Sequence, residues 1–184
     1  MDRFSILVGD ITQSDAEAIV NAADPSLLGG AGVDGAIHAA AGPELLAECR
    51  TLGGCERGQA KLTAGYRLRA KYVIHTPGPV WQGGDHGEAA LLASCYRSCL
   101  LLAEAHSIRT LDFCSISTGV YGYPLPLAAT VALRTIMEFL AGCALPERVR
   151  MVCHSEAAAE ERSSAPAARK ADSRPSVAGS DQPP

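Results

Sequence analysis

The sequence predicts an α/β fold, a sandwich in which helices cover a largely parallel central sheet. Short runs rich in β-branched residues, bounded by Gly, Pro or polar residues, alternate along residues 1–155 with longer stretches of helical spacing. The short runs are apolar almost throughout rather than at every second position, the pattern of strands covered on both faces. Strands that alternate with helices in this way pair in parallel.

Phe4 to Val8 opens the chain as a strand, and Ala18 to Asn21 is a second. Helices follow at Val33 to Ala41, after a glycine-rich loop, and at Pro43 to Leu52. Tyr72 to His75 is the next strand and Glu88 to His106 the next helix. Leu111 to Ile116 is a strand, and Pro126 to Leu140 a helix that begins acceptably with proline in its first turn. Within it Leu127, Val131, Arg134 and Glu138 separate apolar from polar positions at helical spacing. Val149 to Cys153 is the last strand.

The 184 residues suit one domain, and 47% hydrophobic with 5% aromatic residues suits an aliphatic core. This balance excludes a disordered or collagen-like chain. A net charge of -4 and a pI near 5.7 present no basic surface for nucleic acid or an acidic membrane. No apolar run is expected to reach the roughly 18 residues of a spanning helix, and the start lacks the regions of a signal peptide. Seven cysteines, without a CxxC pair, read as reduced thiols of a cytoplasmic protein, and no metal cluster is indicated. From Glu156 to Pro184 the only large apolar residue is Val177, so residues 1–155 are expected to form the domain. Residues 156–184 are expected to be a disordered tail, with a helical turn or two at Ala157 to Arg162.

Ligands of such folds collect at the carboxyl ends of the strands, where three loops stand out. Gly9-Asp10-Ile11-Thr12 ends the first strand: Asp10 can accept from an exocyclic amine, or simply turn the chain. Asn21 to His38 holds three glycines within four residues (Gly29, Gly30 and Gly32) between a strand and a helix. That geometry suits an anion, because glycines admit close approach and N–H groups at a helix start point at phosphate oxygens. It is neither a Walker loop nor GxGxxG, and the missing lysine argues against triphosphate hydrolysis. Asp34 is a favourable first-turn acid, or a group that holds a water or a ribose hydroxyl, and His38 lies one turn along the same face. In the third loop Ser117, Thr118 and the Gly119 backbone offer donors to a second phosphate, and Tyr121 a ring for a sugar or base; a rigid turn is the alternative.

Together these segments resemble the macrodomain family, in particular its bacterial MacroD-type branch of O-acetyl-ADP-ribose deacetylases and mono-ADP-ribosyl hydrolases. The resemblance rests on GDIT at 9–12, IVNAADPSLLGGAGVDGAIHAAAGPELL at 19–46, YVIHTPGPVW at 72–81 and ISTGVYGYP at 116–124, in that order, and runs from Phe4 to Cys153. It implies a three-layer α/β/α sandwich with a mixed, mainly parallel sheet and ADP-ribose across the strand ends. Asp10 would bind the adenine amine and the Ile11 backbone the ring. Gly32, Val33 and Asp34 would follow the diphosphate and distal ribose. Ser117, Thr118, Gly119, Val120 and Tyr121 would wrap the diphosphate from the other side. Asn21 and Asp24 would contact the distal ribose, and Asp34, with Asn21, would be catalytic. The chain departs from the family pattern at Asp24, Ala31, Pro77, Ser115 and His154, and it lacks the usual apolar C-terminal helix.

The implied activity is hydrolysis of an ester on the distal ribose, without metal or cofactor. The substrate would be O-acetyl-ADP-ribose or mono-ADP-ribosylated protein. A non-catalytic ADP-ribose reader is the alternative.

Overall fold

The computed structural model of the chain describes residues 3–166. Six strands form one mixed sheet: β1 (Phe4–Val8), β2 (Ala18–Ala22), β3 (Lys61–Ala64), β4 (Tyr72–Thr76), β5 (Thr110–Phe113) and β6 (Arg148–Cys153). Their spatial order is β1-β6-β5-β2-β4-β3, parallel at every junction except the antiparallel β3–β4 edge. Helices α1 (Gly32–Ala41) and α2 (Pro43–Thr51) cover one face. Helices α3 (Glu88–Ala105), α4 (Leu125–Gly142) and α5 (Glu156–Ser163) cover the other. A 3-10 turn, Ile11–Gln13, joins β1 to β2.

Each face has its own core, and strand pleating divides the side chains between them. In β2, Ala18 and Val20 pack under α3 and α4, while Ile19 packs under α1 with Ile37 and Leu45. The larger core is centred on Tyr96 and Phe113, whose rings lie 5.1 Å apart.

Four expectations are corrected. β3 carries no strand signature, because Lys61-Leu-Thr-Ala has one large apolar residue and lies at an edge; its register, Thr63 opposite Val73, comes from pairing with β4. β5 ends at Phe113 rather than Ile116: Cys114 and Ile116 have left the sheet but are still buried, Ile116 in the larger core and Cys114 in the core under α1. α4 is, by length and composition, apolar enough to span a bilayer, although its buried face packs into the larger core. Finally, the domain does not stop at residue 155. α5 is capped by the Ser155 hydroxyl, which accepts from Ala158 N. Ala165 packs on Ala129, Leu133 and Phe4, and Arg162 is fully buried. A polar, alanine-rich helix needs only a small contact face to dock once α4 and β1 offer a surface. The predicted tail from residue 167 onward lies outside the described residues.

Candidate active site

β2 and β5 are adjacent in the sheet, but the chain leaves them in opposite directions: α1 follows β2 onto one face and α4 follows β5 onto the other. The diverging loops leave a crevice at the strand ends, the topological switch point where α/β folds bind ligands. Its two walls are residues 22–33 and 114–124.

Asn21 stands at the end of β2, on the face that Ile19 shares with α1, and is fully buried. Its Nδ2 donates to Asp34 Oδ1 at 2.9 Å and reaches His75 Nδ1 at 3.1 Å. An amide oxygen would repel the carboxylate at that distance, so the nitrogen must face Asp34. His75 Nδ1 is then the acceptor and its Nε2–H donates to Thr63 Oγ1 at 2.9 Å, while the Thr63 hydroxyl donates to Ala64 O. Every partner in this chain has a consistent role. Burial of His75 between β2 and β3 depresses its pKa to about 3, which keeps the imidazole neutral as the chain requires. Both Asn21 donors are thereby used inside the protein. Its Oδ1, also buried, has no partner among the described residues.

Asp34 enters from the first turn of α1 and is 3% exposed. Oδ1 accepts from Asn21 and Oδ2 from the backbone N–H of Asp24, 3.2 Å away, and each oxygen keeps a further lone pair. His38 Nε2 lies 3.5 Å from Asp34 Oδ1, one helical turn on. Asp24 lies at the turn that follows β2. Its carboxylate is exposed and turns onto Ser26, accepting the Ser26 backbone N–H at 2.9 Å. Those Ser26 bonds lower its pKa, with Arg57 adding a smaller pull. The Asp24 backbone N–H points into the site, at Asp34. Ala31 caps α1 without a side-chain bond, so the first N–H groups of the helix, at Gly32, Val33 and Asp34, are available to an anion. The glycine loop lies directly on the helix: a Cβ on Gly35 would sit 2.5 Å from Gly30 O.

On the opposite wall Ser117 is 5% exposed and holds a left-handed φ of +66°, a conformation that costs a non-glycine residue free energy. Its hydroxyl is buried and unpartnered among the described residues. Thr118 Oγ1 bonds Ser115 Oγ. Tyr121 is held by Trp81, whose backbone N–H donates to the Tyr121 carbonyl at 2.9 Å, and by the Arg57 guanidinium, 4.9 Å from the ring centre. Arg57 also donates to Gly78 O, below Ser117. Val120, on the same wall, is 87% exposed.

Comparison with known proteins agrees with this geometry. The Macro domain family model matches residues 20–132. A Macro domain-containing protein of Methanosarcina mazei is 56% identical over 85% of this chain and 83% of its own length. The O-acetyl-ADP-ribose deacetylase of Salmonella typhimurium is 56% identical over 84% and 88% respectively. The chain belongs to the macrodomain family. Among solved structures, an Oceanobacillus iheyensis macrodomain mutant with ADPR superposes with a TM-score of 0.84, at 43% identity, covering 86% of this chain and 89% of that one. A Trypanosoma brucei macrodomain in complex with ADP-ribose gives 0.82, at 43% identity, covering 87% and 67%.

In this macrodomain Asp10 and Ile11 stand where β1 ends, on the 3-10 turn. Asp10 Oδ1 accepts from both the N–H and the hydroxyl of Thr12, which leaves Oδ2 outward; Ile11 is 6% exposed. The turn is pinned from a distance: Ser14 Oγ donates to the buried Asp112 on β5 at 2.6 Å, and Arg150 on β6 grips the same carboxylate through Nε and a terminal nitrogen. The macrodomain site thus uses residues that sequence reading missed. His75 was visible inside the YVIHTPGPVW motif; Thr63, Arg57, Asp112 and Arg150 carry no local signal.

Proposed function

We propose that this macrodomain binds ADP-ribose along the crevice and hydrolyses an ester on its distal ribose, with O-acetyl-ADP-ribose as substrate. One observation carries the reading: Asn21 Oδ1, at the end of β2, and Ser117 Oγ, on the 114–124 wall, are buried polar atoms without partners among the described residues. Such atoms are costly unless a ligand satisfies them. A ribose hydroxyl donates to the first, and a phosphate oxygen accepts from the second. The N–H groups at the start of α1, which no side chain caps, are suited to the diphosphate. Asp10 Oδ2 and the Ile11 backbone would take the adenine, and Tyr121 the distal sugar. The deacetylase name of the 56%-identical relative supports the same chemistry.

In the reaction, water adds to the ester carbonyl, the carbon–oxygen bond to the ribose breaks, and the released ribose oxygen takes up a proton. Asp34 is the acceptor placed to orient the water or a neighbouring hydroxyl. Asn21, locked by His75, presents Oδ1 to a ribose hydroxyl and holds the sugar against Asp34. Mono-ADP-ribose esterified to acidic side chains of proteins shares the ribose ester, and we propose it as a second substrate class. The seven free cysteines, six of them buried, support action in a reducing compartment such as the cytoplasm.

The test is incubation with O-acetyl-ADP-ribose and, separately, with glutamate-linked mono-ADP-ribosylated protein, with released ADP-ribose followed by mass. Hydrolysis of the first supports the reading. Binding of ADP-ribose by calorimetry without turnover of either would make the protein a reader.

A further inference from the structure

Arg162 lies on α5, beyond the residues the sequence assigns to the domain, yet it is 2% exposed. One terminal guanidinium nitrogen donates to Ser115 Oγ, and Ser115 Oγ bonds Thr118 Oγ1. Arg162 is therefore one hydrogen bond from the loop whose Ser117 hydroxyl is unpartnered, and two from Thr118. Its Nε is buried and likewise without a partner among the described residues. No described carboxylate pairs with it, in contrast to Arg150, which has both Asp112 and Asp15. Its other neighbours include Cys114, Cys153 and Tyr96. Burial raises the pKa of all three, so they are neutral and supply no counter-charge. Guanidinium groups cannot shed their proton to escape such surroundings, and a buried cation without a counter-charge destabilises the fold that holds it.

We infer that Arg162 is a positioning residue for the ligand's diphosphate, a buried cation beneath the Ser115–Tyr121 loop that has no carboxylate partner among the described residues and whose counter-charge arrives with the ligand. This rests on the reading of the crevice as an ADP-ribose site. The guanidinium orients Ser115, Ser115 orients Thr118, and the positive field acts through a poorly screened interior on the anion above the loop. Charge and geometry thus work in one direction, and the ligand compensates a charge that the free protein carries at a cost.

The test compares the full-length wild type with Arg162→Met and Arg162→Lys. Calorimetry measures affinity for ADP-ribose and, by competition, for adenosine, which lacks the diphosphate; melting is followed without ligand. Arg162→Met is expected to weaken ADP-ribose binding at least about tenfold and to leave adenosine within about twofold. The free protein should melt no lower than wild type, since an apolar side chain replaces an unpaired charge. Arg162→Lys, which keeps the charge, should recover part of the ADP-ribose affinity. Unchanged ADP-ribose affinity in Arg162→Met, or an equal loss for adenosine, overturns the inference. So does a Met variant that melts lower or fails to fold, because that marks Arg162 as an anchor of α5. Failure of the wild type to bind ADP-ribose would instead overturn the proposed function itself.

Discussion

Replacing Asp34 by alanine separates two roles that the structure gives to one carboxylate. In the free protein Asp34 accepts from Asn21 Nδ2 at 2.9 Å and from Asp24 N at 3.2 Å, and it is 3% exposed. Alanine would strand both donors. Asn21 keeps its second bond, to His75, and the Asp24 N–H is only part-buried, so the loss is less than two fully buried orphans. Taking about 1–1.5 kcal/mol for each stranded donor gives roughly 2–3 kcal/mol. For a chain of this size that lowers Tm by about 5–10 °C. Turnover should fall further than stability, because a group positioned for proton transfer is worth about 10²–10⁴-fold. ADP-ribose affinity should stay within about tenfold, since the removed negative charge near the diphosphate offsets a lost ribose contact. Melting, calorimetry and single-turnover hydrolysis of O-acetyl-ADP-ribose on the same preparation read all three. Wild-type turnover in Asp34→Ala would refute the catalytic assignment, and an unchanged Tm would refute the bracing role.

Three further outcomes are expected. His75 has a folded pKa near 3 against an ordinary 6.5, so between those values the unfolded chain binds a proton that the native protein refuses. Its contribution is complete above about pH 6.5 and declines by up to about 1.4 kcal/mol per pH unit below it. Urea unfolding from pH 7.5 to 5 should show a steeper decline in wild type than in His75→Gln; parallel curves would contradict the buried neutral imidazole. In Gly78→Ala the new Cβ would come 2.1 Å from Ser117 Oγ. Ser117 must move, and ADP-ribose affinity should drop about tenfold, the scale of one lost hydrogen bond to a charged group; equal affinity by calorimetry would remove Ser117 from the site. A chain ended after residue 155 exposes Leu133, Ala129 and Phe4. It should melt about 4–8 °C below one ended after residue 166, for roughly 2 kcal/mol of lost burial; coincident melting curves would show that α5 contributes nothing.

The sequence by itself determined what is local. Asn21 stands at the end of its strand, the three glycines follow Asn21, and Asp34 opens the next helix. A strand end, a permissive loop and an uncapped helix start are properties of consecutive residues, so the anion-binding geometry was legible in residues 21–34. The same holds for Asp10 after β1 and Ser117 to Tyr121 after β5. Tertiary structure decided which atoms of those residues are spent on the protein and which are left free. His75 is 54 positions from Asn21, yet it takes one amide hydrogen and so leaves Oδ1 to the crevice. Asp112 is 98 positions from the Ser14 hydroxyl through which it pins the Asp10 turn. Asp24, adjacent in sequence to the site, spends its carboxylate on its own turn. Arg162, which composition assigned to a tail, lies 47 positions from Ser115 and under the loop that would hold the diphosphate. Hydrogen bonds between distant positions exist only once packing brings donor and acceptor together and excludes water. Composition and spacing carry the partners' chemistry, but the meeting of those partners is a property of the folded sheet.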